Sequence, residues 1–234
     1  MRKFRPARGW PEFIDEITIV VVGVILALSA QELLSQLHDR SAARTARTNV
    51  LAEVGGNITR YRERLRTQAC IDRRLDLIAR LLAGSDENRP VPHPLWLGRP
   101  QFWGSPTGRW QALLTERQNA FSSDELGRLS TLYATFDQVR DFQESEQISW
   151  AKMRVLEQGV IDPSVLSEAR IAYQEARLSN YQIYVAMTQA VGEAVKLGAT
   201  LTEKPRGSLS ICLPANLPRQ EALARIGRKE NEEP

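Results

Sequence analysis

Residues 17–30 read Ile-Thr-Ile-Val-Val-Val-Gly-Val-Ile-Leu-Ala-Leu-Ser-Ala, a run without a charge. As a helix at about 1.5 Å per residue it covers only about 21 Å, short of the roughly 30 Å of a bilayer's hydrocarbon core. Phe13 and Ile14 extend it upstream of Asp15-Glu16, and Leu33 and Leu34 extend it downstream of Gln31-Glu32. Residues 13–34 then make a span of about 33 Å. Its acids lie near the two ends, where snorkelling and the headgroups relieve their cost. Ile17, Ile19, Val20, Val21, Val22, Val24, Ile25, Leu26 and Leu28 together favour insertion by roughly 4 kcal/mol. Trp10 sits just ahead, where an interfacial aromatic belongs.

A single transmembrane helix is the leading reading, and two others compete with it. The apolar run has the length of a signal-peptide core, but Asp15-Glu16 directly precedes it and Leu28 would occupy the −3 position of a cleavage after Ala30. A buried strand or helix of a soluble domain is the third reading. Arg2, Lys3, Arg5 and Arg8 precede the span, and Arg40, Arg44 and Arg47 follow it. That small excess favours a cytoplasmic N-terminal segment, residues 1–12, with the rest of the chain outside the cytoplasmic (inner) membrane.

The composition around this run is that of an ordinary globular chain. Of 234 residues, 42% are hydrophobic and 25% charged, which excludes a multi-pass membrane protein and a fully disordered one. The net charge of +3 comes from interleaved, mostly arginine, basic residues and acids, so nucleic acid is not an expected partner. The bilayer is, and a second copy or another membrane protein is the remaining class of partner.

Beyond the span the pattern is helical. Leu51, Val54, Ile58, Tyr61 and Leu65 recur at 3-4 spacing, and after a phase shift Ile71, Leu75, Ile78 and Leu82 continue it. Residues 35–83 therefore read as one long amphipathic helix, continuous with the span. Its other faces carry Arg60, Arg62, Arg64, Arg66, Arg73, Arg74 and Arg80. Gly55-Gly56 within it points to a closely packed neighbour or a kink. Residues 84–108 hold five prolines and several glycines and cannot be helical. Trp96, Phe102 and Trp103, with Trp110 following, give this loop two readings: aromatics capping the helical core, or an exposed surface for a partner.

Residues 109–203 complete an expected bundle. Ser122 and Glu125 form a capping-box pattern before Leu129, Leu132, Phe136, Val139, Trp150 and Met153, a helix of some thirty residues. Asp162-Pro163 opens another, whose seam runs through Leu166, Ala169, Tyr173, Ala176, Asn180, Ile183, Met187, Ala190, Ala194 and Leu197. Asn180 is the polar member. A seam asparagine fixes register or oligomeric state, or is simply satisfied locally. Residues 204–234 are a proline-containing tail, expected to fray from Arg225. The fold class is thus all-α: one N-terminal transmembrane helix and a bundle of long amphipathic helices with a Pro/Gly/Trp-rich loop.

No catalytic arrangement is evident. Phosphate-loop, dinucleotide and nucleophile-elbow motifs are absent, and His38 and His93 have no ligand-spaced neighbour. No cofactor, metal or catalytic residue is expected. Glu144 and Glu146 read as a charged helix face. Cys70 and Cys212 are the informative pair. In a reducing compartment they are two small core residues; in an oxidising one, with no third cysteine, they invite a single disulfide.

The stretch Glu16-Ile17-x-Ile19-Val20-Val21-Val22-Gly23-Val24-Ile25-Leu26-Ala27-Leu28 resembles the anchor of a family of uncharacterised bacterial single-pass proteins. Leu51-x-Glu53-x-x-x-Asn57, Trp110-x-x-Leu113-Leu114 and Leu129-x-x-Leu132-Tyr133 are similar to later parts of the same family. The resemblance implies a membrane-anchored helical protein of unknown function, without an assigned activity. Action through protein–protein contacts is the leading expectation. An extracytoplasmic sensor or ligand-binding module is the second, and a carboxylate-based enzyme the third.

Overall fold

A computed structural model of the chain describes residues 10–84, 96–116, 120–157, 163–201 and 210–231. Those residues form six α-helices and two short 3₁₀ turns, with no strand among them. Helix α1, Trp10–Arg66, is a single helix of 57 residues, about 85 Å long. Its N-terminal part is long and apolar enough to cross a membrane, with a mean hydropathy of 2.2 and nothing buried over its most apolar 18 residues. The same helix enters the bundle at Val50, Val54, Ile58 and Tyr61, all at most 1% exposed.

The expected single helix over 35–83 is two. It breaks at Thr67, where the apolar phase shifts, and α2 runs Gln68–Gly84. The Thr67 amide and hydroxyl both donate to the Arg64 carbonyl, at 3.1 and 2.7 Å, which tightens the last turn of α1 and starts a new axis. The turn brings Ile71, Leu75, Ile78 and Leu82 into the core.

Helix α3 spans Gly108–Glu116 and α4 spans Ser123–Met153, followed by a 3₁₀ turn over Arg154–Glu157. The Ser122–Glu125 capping box is formed in both directions. Helix α5 spans Pro163–Lys196. The N-cap assigned to Asp162 lies outside the described residues. Ala169, Ala172, Ala176, Ala186, Ala190 and Ala194 are buried along α5, and small side chains let it approach α4 closely over most of its length. Gly198 closes α5 with φ +72°, the left-handed C-terminal cap that glycine adopts without penalty.

The end expected to fray from Arg225 lies instead in a helix. Helix α6, Arg219–Asn231, starts just after Pro218, with Ala222 fully buried and Arg225 paired to Glu221 at 2.6 Å. An i, i+4 ion pair and a docked alanine hold a helix that charge density alone argued against.

The expectation of a close neighbour at Gly55-Gly56 holds at the first glycine. A Cβ on Gly55 would lie 1.9 Å from the backbone oxygen of Thr200, whereas one on Gly56 would meet nothing within 4 Å. The two alanine substitutions should therefore differ in sign. Gly56→Ala should stabilise by up to about 1 kcal/mol through helix propensity. Gly55→Ala should cost roughly 1–3 kcal/mol, because backbone rather than a flexible side chain must move. Thermal unfolding followed by circular dichroism checks this; equal shifts for both would refute the close approach of α1 to the end of α5.

Candidate functional site

The core divides into two apolar clusters. One gathers Val54, Ile58, Tyr61, Phe136, Val139, Ile183 and Met187. The other gathers Ile71, Ile78, Leu97, Trp150, Met153, Ala172 and Ala176. Between them along α1, α4 and α5 lies a polar layer: Arg64, Gln143, Glu146, Ser149, Ser179 and Asn180 are all below 7% exposed. Arg64 Nη2 donates to Glu146 Oε1 at 2.8 Å and to Asn180 Oδ1 at 3.1 Å. Asn180 Nδ2 in turn donates to Asp72 Oδ1 at 3.2 Å. The chain of contacts thus ties α1, α4, α5 and α2.

Asn180 joins helices of this one chain through Arg64 and Asp72. Arg64, placed by sequence on an outer face, and Glu146, placed on a charged face, are both buried. Burial raises the Glu146 carboxyl above its usual range, with the Arg64 charge opposing the shift. Burial likewise lowers Arg64, while Glu146 and Asp72 hold its charge in place. Arg64 Nε and Nη1 and Glu146 Oε2 have no protein hydrogen-bond partner. A single-contact pair with remaining polar atoms unsatisfied is a costly arrangement, which points away from stability as its reason. The signal was present in the spacing: Val139, Gln143, Glu146, Trp150 and Met153 keep one 4-3-4-3 row.

Arg74 is the second buried arginine that the sequence placed outside. Its guanidinium donates to the backbone carbonyls of Trp96, Leu97, Ile211 and Leu213. Burial lowers it to about 10, with Glu157 opposing, so it is charged at neutral pH. One planar cation with five N–H donors suits four converging carbonyls, and it fastens the loop at 96–97 and the tail at 211–213 to α2. Cys70 and Cys212 are joined beside it, with Cα atoms 5.0 Å apart.

Two of the four aromatics in and after the loop are buried. Trp103 is 8% and Trp110 5% exposed, and Phe102 alone of Phe102, Trp103 and Trp110 is exposed, at 39%. Trp96 is half-buried. The reason lies in backbone bonding: the Trp103 amide and carbonyl both pair with the Gln143 carboxamide, at 2.8 and 3.1 Å. Trp110 stacks on Tyr133 with centroids 4.8 Å apart. Glu53 of α1 accepts the Arg109 and Trp110 amides and the Tyr133 hydroxyl, capping α3 from a neighbouring helix. These residues cap the core.

At the end of the bundle nearer the apolar part of α1, Arg47 forks Glu125 at 2.5 and 3.1 Å and lies 4.6 Å over the Phe121 ring. That hydrogen bonding, together with the Ser122 amide, holds the Glu125 carboxyl down at about 2.

The surface depression that touches the polar layer lies between α2 and α5. It encloses about 720 Å³, and Asn180 forms part of its wall with Asp72, Asp76, Tyr173, Tyr181 and Tyr184. Its volume is in the range of small-ligand sites, but it lies open to solvent along one side. Among the described residues, no group of three or more His, Cys, Asp or Glu is placed to hold a metal ion. Comparison with known proteins matches the chain to no family, no curated protein and no solved structure.

Proposed function

We propose that this chain is a single-pass membrane protein whose helical bundle stands outside the cytoplasmic membrane and acts through contacts rather than bond chemistry. The observation that carries this reading is α1: one unbroken helix holds both the apolar N-terminal run and the first row of the bundle core. A rigid rod of that kind fixes the bundle's height and orientation relative to a bilayer. From Leu34 to Val50 it stands off by about 24 Å. The Cys70–Cys212 bond supports the outside location, since such bonds persist in oxidising compartments.

Two measurements on cells test it together. Carbonate extraction at high pH should leave the full-length protein in the membrane pellet; quantitative release would remove the anchor. Mass mapping of unreduced peptides, after quenching with an alkylating reagent, should recover Cys70 linked to Cys212. Alkylation of both without reduction would place the bundle on the reducing side.

A second reading, a ligand-binding or sensing module, is favoured by one specific observation, the α2–α5 cleft walled by a residue of the buried polar layer. A ligand there would touch α2 just after the Thr67 break and, through Asn180 and Arg64, the helix that enters the membrane.

A further inference from the structure

The α2–α5 cleft carries one carboxylate, Asp76, and two exposed rings, Tyr181 and Tyr184, that the fold does not use. Asp72 and Asp76 stand one turn apart on α2, facing Tyr173, Tyr181 and Tyr184 of α5 across the cleft. Helical neighbours four apart bring their Cβ atoms within about 6 Å, so one cation can come within reach of both carboxylates. Asp72 Oδ1 is held by Gln68 Nε2 at 2.8 Å and by Asn180 Nδ2 at 3.2 Å, which fixes that carboxylate from beneath with a nearly buried carboxamide. The Asp76 carboxylate has no hydrogen bond or ion pair among the described residues. Tyr181 is 66% and Tyr184 45% exposed, rings left in water on the same cleft as Asp76.

The cleft already holds one cation on an aromatic face. Arg177 lies over the Tyr173 ring at 6.0 Å, and it pairs with neither Asp72 nor Asp76. Its guanidinium meets the π-face but leaves the acids open. A carboxylate pair against tyrosine rings recognises an organic cation by charge and by cation–π attraction together.

We propose that this cleft binds a small organic ammonium compound, its cationic nitrogen between Asp76 and Asp72 and its carbon chain against Tyr181 and Tyr184. The inference rests on the ligand-binding reading above and names the ligand class.

Isothermal titration of the full-length protein in an uncharged detergent tests it, with cadaverine, choline and acetate as probes at constant ionic strength. Saturable heat is expected with at least one of the two amines and none with acetate. Asp76→Asn should weaken that binding about tenfold, the loss of one close charge contact, and Tyr184→Leu should weaken it further. Both side chains are exposed, so the unfolding midpoint serves as a control and should not move. Wild-type affinity in Asp76→Asn would overturn the proposal. Saturable acetate binding with no amine binding would overturn the cation assignment while leaving a ligand-binding module standing. No saturable heat with any of the three probes would overturn both.

Discussion

Removing the Cys70–Cys212 bond, as Cys70→Ala with Cys212→Ala or by reduction, should lower the stability of the bundle by up to about 5 kcal/mol. The two cysteines are 142 positions apart, and closing a loop of that size restricts the unfolded chain by about that amount in the loop-entropy treatment. The effect acts through the unfolded state, so most of the folded bundle should keep its helicity. The loss should also show locally. Ile211 is 3% exposed, and Arg74 takes the carbonyls of Ile211 and Leu213. Without the covalent tie those contacts must hold the tail unaided. Denaturant unfolding of the full-length protein in detergent, with and without reductant, measures the first effect. Amide exchange at 210–213 measures the second. A midpoint unmoved by reduction would mean that the unfolded chain is already constrained by other means.

Much of this architecture was written in the residue pattern, and what was hidden had a physical reason. The apolar run, the Ser122–Glu125 cap and the alanine seam of α5 are local signals, and each corresponds to an element observed. The division of α1 from α2 was visible as a phase shift, but its cause, Thr67 folding back on the Arg64 carbonyl, depends on backbone geometry. Arg64, Arg74 and Glu146 were misplaced because charge argues for exposure unless a partner is known. Their partners lie 82 residues away for Arg64 and Glu146, and up to 139 for Arg74. For the same reason Trp103 and Trp110 left two readings open, a core cap or a docking handle, until Gln143 and Glu53 were found beneath them. The cleft was invisible because Asp72 and Tyr184 belong to helices joined by a long, partly irregular connection.

The polar layer yields the sharpest test of why a costly pair sits in the core. Removing one member should be severe: Glu146→Ala, or Arg64→Ala, should each cost roughly 3–5 kcal/mol, because the survivor is a buried charge without its counter-ion. Removing both with apolar replacements should not be. In the Arg64→Met, Glu146→Leu double variant the desolvation of both ions disappears, and stability should return to within about 1 kcal/mol of the parent or exceed it. Unfolding free energies of the parent, Arg64→Met, Glu146→Leu and the double variant close a cycle and give the coupling energy. Single losses that simply add in the double variant would show that the 2.8 Å contact does not act as a pair. The restored variant then separates stability from specificity. Asn180 loses its Arg64 donor, so the carboxamide that holds Asp72 is free to turn. If the layer exists to set the geometry of the cleft, the double variant should be stable and yet bind the ammonium probes more weakly, about as weakly as Asp76→Asn. Parent-like stability with parent-like binding would reduce the pair to a register device between α1 and α4.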